Sequence, residues 1–289
     1  MIAGYPASAS VNPGDTLVLH VSTTARRFRL LFYRWSDGLV PMHVTGWLAG
    51  KCAALPGKCV TPRGAADDWE WPAYPVKLQG NWPSAVYLAF LDDGHGATLS
   101  LAADSAAILF IVRGFGRARL LYKLPLATYH AYNFTGGGCF YKNPPRSLEP
   151  PGGKVCFRRP GGGIGGAVWC SPDYYDPGSP RQTFAHWDAP FIRWLAHNGY
   201  ATEFCTGLDV AEGTSVPGHY RLLLSAGHDE YWSEPERNAV EAFIAKGGNA
   251  AFFGGNTCWW RVRLVDNGSA MVCHQGGPDG ARHQSWPHT

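Results

Sequence analysis

A β-sandwich followed by an α/β domain is the fold class this sequence predicts, and three observations carry it. Residues 1–114 hold short apolar or alternating runs set apart by Pro, Gly and Asp clusters, with no helical period. Residues 115–289 instead alternate strand-like runs with helical patterns, the mark of a mainly parallel sheet. Within that second part, Tyr220 to Trp260 reads strand, charged loop, helix, strand and glycine turn, which is a parallel βαβ unit.

In the first part, Thr16 to Ser22 alternates and Arg27 to Arg34 mixes aromatic and aliphatic residues. Ser84 to Leu91 and Ala106 to Val112 are further strands. Strands at this spacing suggest an immunoglobulin-like sandwich. Its tryptophans, Trp35, Trp47, Trp69, Trp71 and Trp82, are read as core and loop anchors, given the area each can bury. The boundary is placed at Arg113-Gly114-Phe115-Gly116.

In the second part, Leu120 to Leu124 is a strand ending in the polar and aromatic cluster Tyr129 to Asn133. From Thr135 to Pro180 glycine and proline dominate, with Gly161-Gly162-Gly163-Ile164-Gly165-Gly166 as the extreme. That segment is expected to be a mobile lid or surface loop, since it has neither a phosphate loop's Lys-Ser/Thr ending nor a dinucleotide fingerprint's setting. Asp188, Pro190 and Gly199 bracket a helix, and Ala201 to Cys205 is the next strand. Tyr220 to Ser225 is a buried strand. Ser233 and Glu236 form a capping box for a helix whose apolar face is Val240, Phe243 and Ile244, with Gly247 as its stop. Asn249 to Phe253 is the following strand, and Met271 to Cys273 is a small one.

Composition narrows the function classes. A net charge of +3 with no dense Lys/Arg run except Arg26-Arg27 and Arg158-Arg159 argues against a nucleic-acid partner. No apolar run is long enough to span a membrane, and the N-terminus lacks the layout of a signal peptide. Eight cysteines include Cys52 and Cys59, which could close a small disulfide loop. Compartment therefore stays open between cytoplasmic, which is favoured, and periplasmic or secreted. No CxxC pair is present, so a structural zinc site is not expected.

In a parallel sheet, ligands bind outside the carboxyl ends of the strands. Three clusters fall at such ends: Tyr129 to Asn133, His228 to Tyr231, and Gly255-Asn256, with Tyr141 nearby in the insertion. Their phenols and carboxylates are hard oxygen donors suited to hard cations. The bland alternative for Asp229 and Glu230 is that they only complement the N-terminus of the following helix.

The blocks Phe28-Arg29 after His20-Val21-Ser22-Thr23, Ala131-Tyr132-Asn133, Ser225-Ala226-Gly227-His228-Asp229-Glu230-Tyr231-Trp232 and Phe252-Phe253-Gly254-Gly255-Asn256-Thr257 resemble the large (β) subunit of N,N-dimethylformamidase and its relatives. The resemblance runs to about Cys273. It implies an immunoglobulin- or lectin-like β domain before a three-layer, glutamine-amidotransferase-like α/β domain. It further implies a mononuclear iron(III) held by two tyrosines and a glutamate and used to hydrolyse a small linear amide. By position, Tyr132 and Glu230 match the ligand motifs. Tyr141 is the second tyrosine, with Tyr175 as its competitor, while His228, Asp229 and Asn256 are the catalytic or substrate-orienting candidates. The family is expected to continue well past Trp260 and to supply a further carboxylate from there.

Several readings follow from these residues. One is an iron-dependent amidohydrolase, with a small accessory subunit or a second copy of the chain as partner and Asp229 as the local base. Another is an inactive family member serving as a binding or structural subunit. A thiol or serine hydrolase is disfavoured because the Gly227-His228-Asp229-Glu230 elbow carries neither Cys nor Ser at its tip. A His/Asp/Glu site for zinc or manganese is the remaining alternative.

Overall fold

The computed structural model describes residues 2–53, 65–101, 106–136, 138–141, 153–164, 183–215 and 217–273. Its N-terminal part contains β1 (Ile2–Pro6), β2 (Ser10–Val11), β3 (Thr16–Thr23), β4 (Arg27–Trp35), β5 (Leu39–Val44), β6 (Leu48–Ala49), β7 (Ala73–Lys77), β8 (Ala85–Asp92) and β9 (Ala107–Val112). They form two sheets, β1-β3-β7 and β2-β9-β8-β4-β5, with β6 also on β4. Except for the short β2–β9 contact, every pairing is antiparallel. Alternation along β3 buries Leu17, Leu19 and Val21, and β4 buries Phe28, Leu30 and Phe32, so the two sheets share one apolar core.

β8 and β9 depart from alternation, because both are buried at every position. One face meets the first sheet and the other meets the C-terminal part. The same core cluster runs on through Tyr122, Ile192, Phe204 and Leu224 without a break. Their continuous apolar sequences are what covering on both faces requires.

The C-terminal part contains β10 (Leu120–Leu124), α1 (Leu126–Tyr132), β11 (Gly153–Cys156), α2 (Asp188–His197), β12 (Thr202–Thr206), α3 (Gly207–Ala211), β13 (Leu222–Ala226), β14 (Tyr231–Ser233), α4 (Glu234–Ala245), β15 (Asn249–Phe253), β16 (Trp260–Val265) and β17 (Ala270–Cys273). β12, β10, β13 and β15 lie side by side in that order and all parallel. Leu121, Cys205 and Leu223 face Val240 and Phe243 of α4, whereas Tyr122, Phe204 and Leu224 face Ile192 and Leu195 of α2. The sheet thus has helices on both faces. After β10 the chain moves to β12 on one side and returns to β13 on the other, which makes the gap between β10 and β13 the place where strand order reverses.

Several sequence expectations are refined here. Ser233 caps α4 by accepting from the Glu236 amide at 3.4 Å, but the Glu236 carboxylate turns inward to Lys123 instead of completing a capping box. Ile244 is 47% exposed, off the buried face that Val240 and Phe243 define. Residues 126–132, read as a polar and aromatic cluster at the end of a strand, form α1, and residues 207–211 form α3 behind a full Thr206/Asp209 capping box. β11, β14, β16 and β17 build a second small sheet, of which the sequence announced only β17, at Met271 to Cys273. The glycine run is no surface loop over its described part. Gly162, Gly163 and Ile164 are buried, and Gly161 to Gly163 take left-handed backbone against Asn133, His130 and Tyr129, where a Cβ would collide. Cys52 is disulfide-bonded, while Cys59 lies outside the described residues. No described helix is long and apolar enough to cross a membrane.

Candidate metal centre

Adjacent parallel strands deliver the site. β10 runs into α1, whose last residue is Tyr132, and β13 runs into the loop 227–230, which ends at Glu230. Both therefore leave the sheet at its carboxyl edge, beside the reversal of strand order. α1 has no side-chain cap and no polar face, with Leu126 to Ala131 all buried. It is held from outside. Thr128 Oγ1 accepts from the amides of Glu230, at 2.9 Å, and Tyr231, at 3.3 Å, which fixes helix and loop relative to each other. On the far side of the loop, Trp260 N donates to Glu230 O at 2.9 Å and Cys258 N to Asp229 O at 2.9 Å. At Gly254, after β15, the backbone passes so close to the Gly227 carbonyl that any side chain would overlap it.

Three oxygen-bearing side chains converge here. Tyr132 Oη donates to Glu230 Oε2 at 2.8 Å, and Tyr141 Oη lies 3.1 and 3.2 Å from Oε1 and Oε2. The two phenol rings stack with centroids 4.4 Å apart and planes 26° apart. A third phenol, Tyr231, donates from behind to Tyr141 Oη at 2.6 Å. Burial raises the Glu230 carboxyl above its ordinary range, against the opposing pull of the Tyr132 and Tyr141 hydroxyls. Burial and the neighbouring Glu230 carboxylate together push both phenols upward.

The remaining sequence candidates are placed as follows. Asp229 is 2% exposed and does not join the cluster, because its carboxylate is taken up elsewhere. Its Oδ2 takes Lys123 Nζ at 2.6 Å and Ser225 Oγ at 2.7 Å, and its Oδ1 takes Trp232 Nε1 at 2.9 Å. Lys123 also meets Glu236 at 2.8 Å and lies 4.2 Å from the centre of the Trp232 ring. Burial alone would lower the lysine pKa, but Asp229 and Glu236 outweigh it and keep the ammonium charged. His228 is half-buried in the loop between β13 and Glu230. Asn256 is exposed with φ 55°, in the turn after β15, and its carbonyl accepts from Trp259 N at 3.2 Å. Tyr175 lies outside the described residues.

Sequence reasoning assigned no role in the site to Tyr231, Thr128 or Lys123, and gave Glu236 only that of a helix cap. For Lys123 a signal existed: a lone lysine inside the apolar strand Leu-Leu-Tyr-Lys-Leu calls for a buried acid.

The donor set fits a hard cation. Phenol and carboxylate oxygens are what such an ion prefers. No group of three or more His, Cys, Asp and Glu side chains arranged to hold a metal occurs among the described residues. Any metal at this place would therefore draw on tyrosine oxygens.

Residues 28–289 match the family model described as N,N-dimethylformamidase beta subunit-like, C-terminal. The N,N-dimethylformamidase beta subunit of Alcaligenes sp is 30% identical over 90 residues, covering 29% of this chain and 12% of that protein. The corresponding subunit of Paracoccus aminophilus is 31% identical over 90 residues, with the same coverage. The matched segment is thus a small part of each relative's length. The chain belongs to the N,N-dimethylformamidase beta subunit-like family.

Proposed function

We propose that this chain carries the metal-holding centre of a hydrolase for small linear amides, with Tyr132, Tyr141 and Glu230 as the side chains that hold a mononuclear iron(III). The observation that carries the reading is the meeting of two phenols on one buried carboxylate, at the carboxyl ends of β10 and β13. When bound, such an ion supplies Lewis-acid chemistry, polarising a carbonyl oxygen and acidifying water.

The chain's own residues contribute position. Thr128 keeps α1 in register with the 227–230 loop, so Tyr132 and Glu230 hold their separation. Tyr231 fixes the rotation of the Tyr141 hydroxyl. His228, two residues before Glu230, is the candidate to orient an amide or move a proton, a role Asp229 cannot take while Lys123 holds it. Asn256, exposed on the neighbouring turn, is a second substrate-orienting candidate. The family's beta subunit designation supports an assembly with an accessory subunit or a further copy of the chain. The test is release of dimethylamine from N,N-dimethylformamide, or of ammonia from formamide and acetamide, by iron-supplemented protein. Release that is abolished in Glu230→Gln supports the reading.

A second reading, a binding or structural subunit without turnover, draws on the engagement of Asp229 by Lys123, Ser225 and Trp232. Iron bound at the tyrosines with no amide cleaved would favour it.

A further inference from the structure

Arg159 is the largest side chain fully buried among the described residues. It pairs with no carboxylate there. All its bonds go to backbone carbonyls: Nε donates to Cys156 O at 2.9 Å, Nη1 to Asn133 O at 2.8 Å and Thr135 O at 2.7 Å, and Nη2 to His130 O at 3.0 Å. An ion buried without a counter-charge is costly, and burial draws the guanidinium pKa down to about 10. Such a group is retained where several oxygens need a donor at once.

Those oxygens belong to one place. His130 and Asn133 bracket Tyr132, and their carbonyls lie at the C-terminus of the helix, where a cation complements the dipole; His130 O also accepts from Asn133 N at 3.3 Å. Thr135 opens the short run that leads to Tyr141. One guanidinium therefore ties the end of the Tyr132 helix to the start of the Tyr141 segment. The chain beyond it, Gly161 to Gly163, closes against Asn133, His130 and Tyr129 with no room for a side chain.

We propose that Arg159 is a positioning residue of the metal centre, setting the end of α1 and the turn after it so that Tyr132 and Tyr141 meet on Glu230. The inference rests on the reading of that trio as the iron-holding site. Lysine would keep the charge but, lacking the planar fork, could not reach four carbonyls.

The experiment compares three full-length proteins: wild type, Arg159→Lys, and Val86→Ala as a destabilised control in β8, whose side chain is fully buried in the N-terminal part. Thermal midpoint and iron(III) affinity, by chelator competition, are measured for each. Arg159→Lys is expected to bind iron about 10- to 100-fold more weakly, as loss of a supporting residue does, while Val86→Ala loses midpoint and keeps affinity. Equal affinity in Arg159→Lys and wild type overturns the inference and leaves the iron reading intact. Equal weakening in both variants also overturns it, since that would report stability alone. Wild-type protein that binds no iron overturns the reading and the inference together. If Arg159→Lys does not fold, Gly162→Ala, which would push against His130 from the same segment, is read by the same criteria.

Discussion

Tyr132 Oη and Glu230 Oε2 stand 2.8 Å apart although 98 residues separate them in the chain. Their meeting is a consequence of topology. β10 and β13 are parallel neighbours, so whatever follows each of them emerges at the same edge. Tyr132→Phe keeps the ring and its stacking on Tyr141 but removes one of the three converging groups. The metal-free variant is expected to lose about 1–3 kcal/mol of unfolding free energy, the scale of a hydrogen bond to a charged group, and to retain no iron. Denaturant unfolding and elemental analysis check the two halves separately.

Tyr231→Phe should separate support from ligation. It removes the 2.6 Å donation to Tyr141 and leaves all three proposed ligands in place. Stability is expected to fall by about 0.5–1.5 kcal/mol, with iron retained. Iron content as low as in Tyr132→Phe would place Tyr231 among the ligands instead.

Lys123 is fully buried between Asp229 and Glu236, so Lys123→Met leaves two buried carboxylates without their cation. Removing one partner of a buried pair costs about 3–5 kcal/mol, and this variant is expected to lose at least that in urea unfolding. Adding Glu236→Gln should restore part of the loss. No restoration would show that the two acids are not held by a shared lysine.

Asp188 predicts a pH dependence. Burial raises its carboxyl from the ordinary 3.8 to about 7, against the hydroxyls of Tyr129 and Tyr122 that donate to it. Between those values the unfolded carboxyl has lost its proton and the folded one has kept it, so the folded state binds more protons and stability falls as pH rises. The contribution is fully present below about pH 4 and is lost by about pH 7, a span on the order of 4 kcal/mol. Subtracting the pH profile of Asp188→Asn from that of wild type should isolate this fall. A flat difference would contradict it.

How much of this was legible in sequence divides along physical lines. The βαβ unit was read from its apolar runs, from Ser233 as a cap and from Gly247 as a stop, and β13, α4 and β15 follow closely. The pairing of Tyr132 and Tyr141 with Glu230 came from family resemblance, since spacing alone does not say which phenols meet. α1 was missed because it is buried all round, so no polar face gave it a period. Of the small sheet only the strand at Met271 to Cys273 was read; the rest was missed because its strands are three to six residues long and, outside the β16–β17 hairpin, its pairs lie far apart in the chain, as with Cys156 beside Ala270. Arg159 is, in sequence, only half of an Arg-Arg pair, and only the fold shows four carbonyls around it.

The central claim is tested most directly by elemental analysis and a visible absorption spectrum of wild-type protein purified without added metal. The account predicts one iron per chain and a phenolate-to-iron(III) charge-transfer band, both lost in Tyr132→Phe. Colourless, metal-free protein that takes up no iron when it is supplied would contradict it.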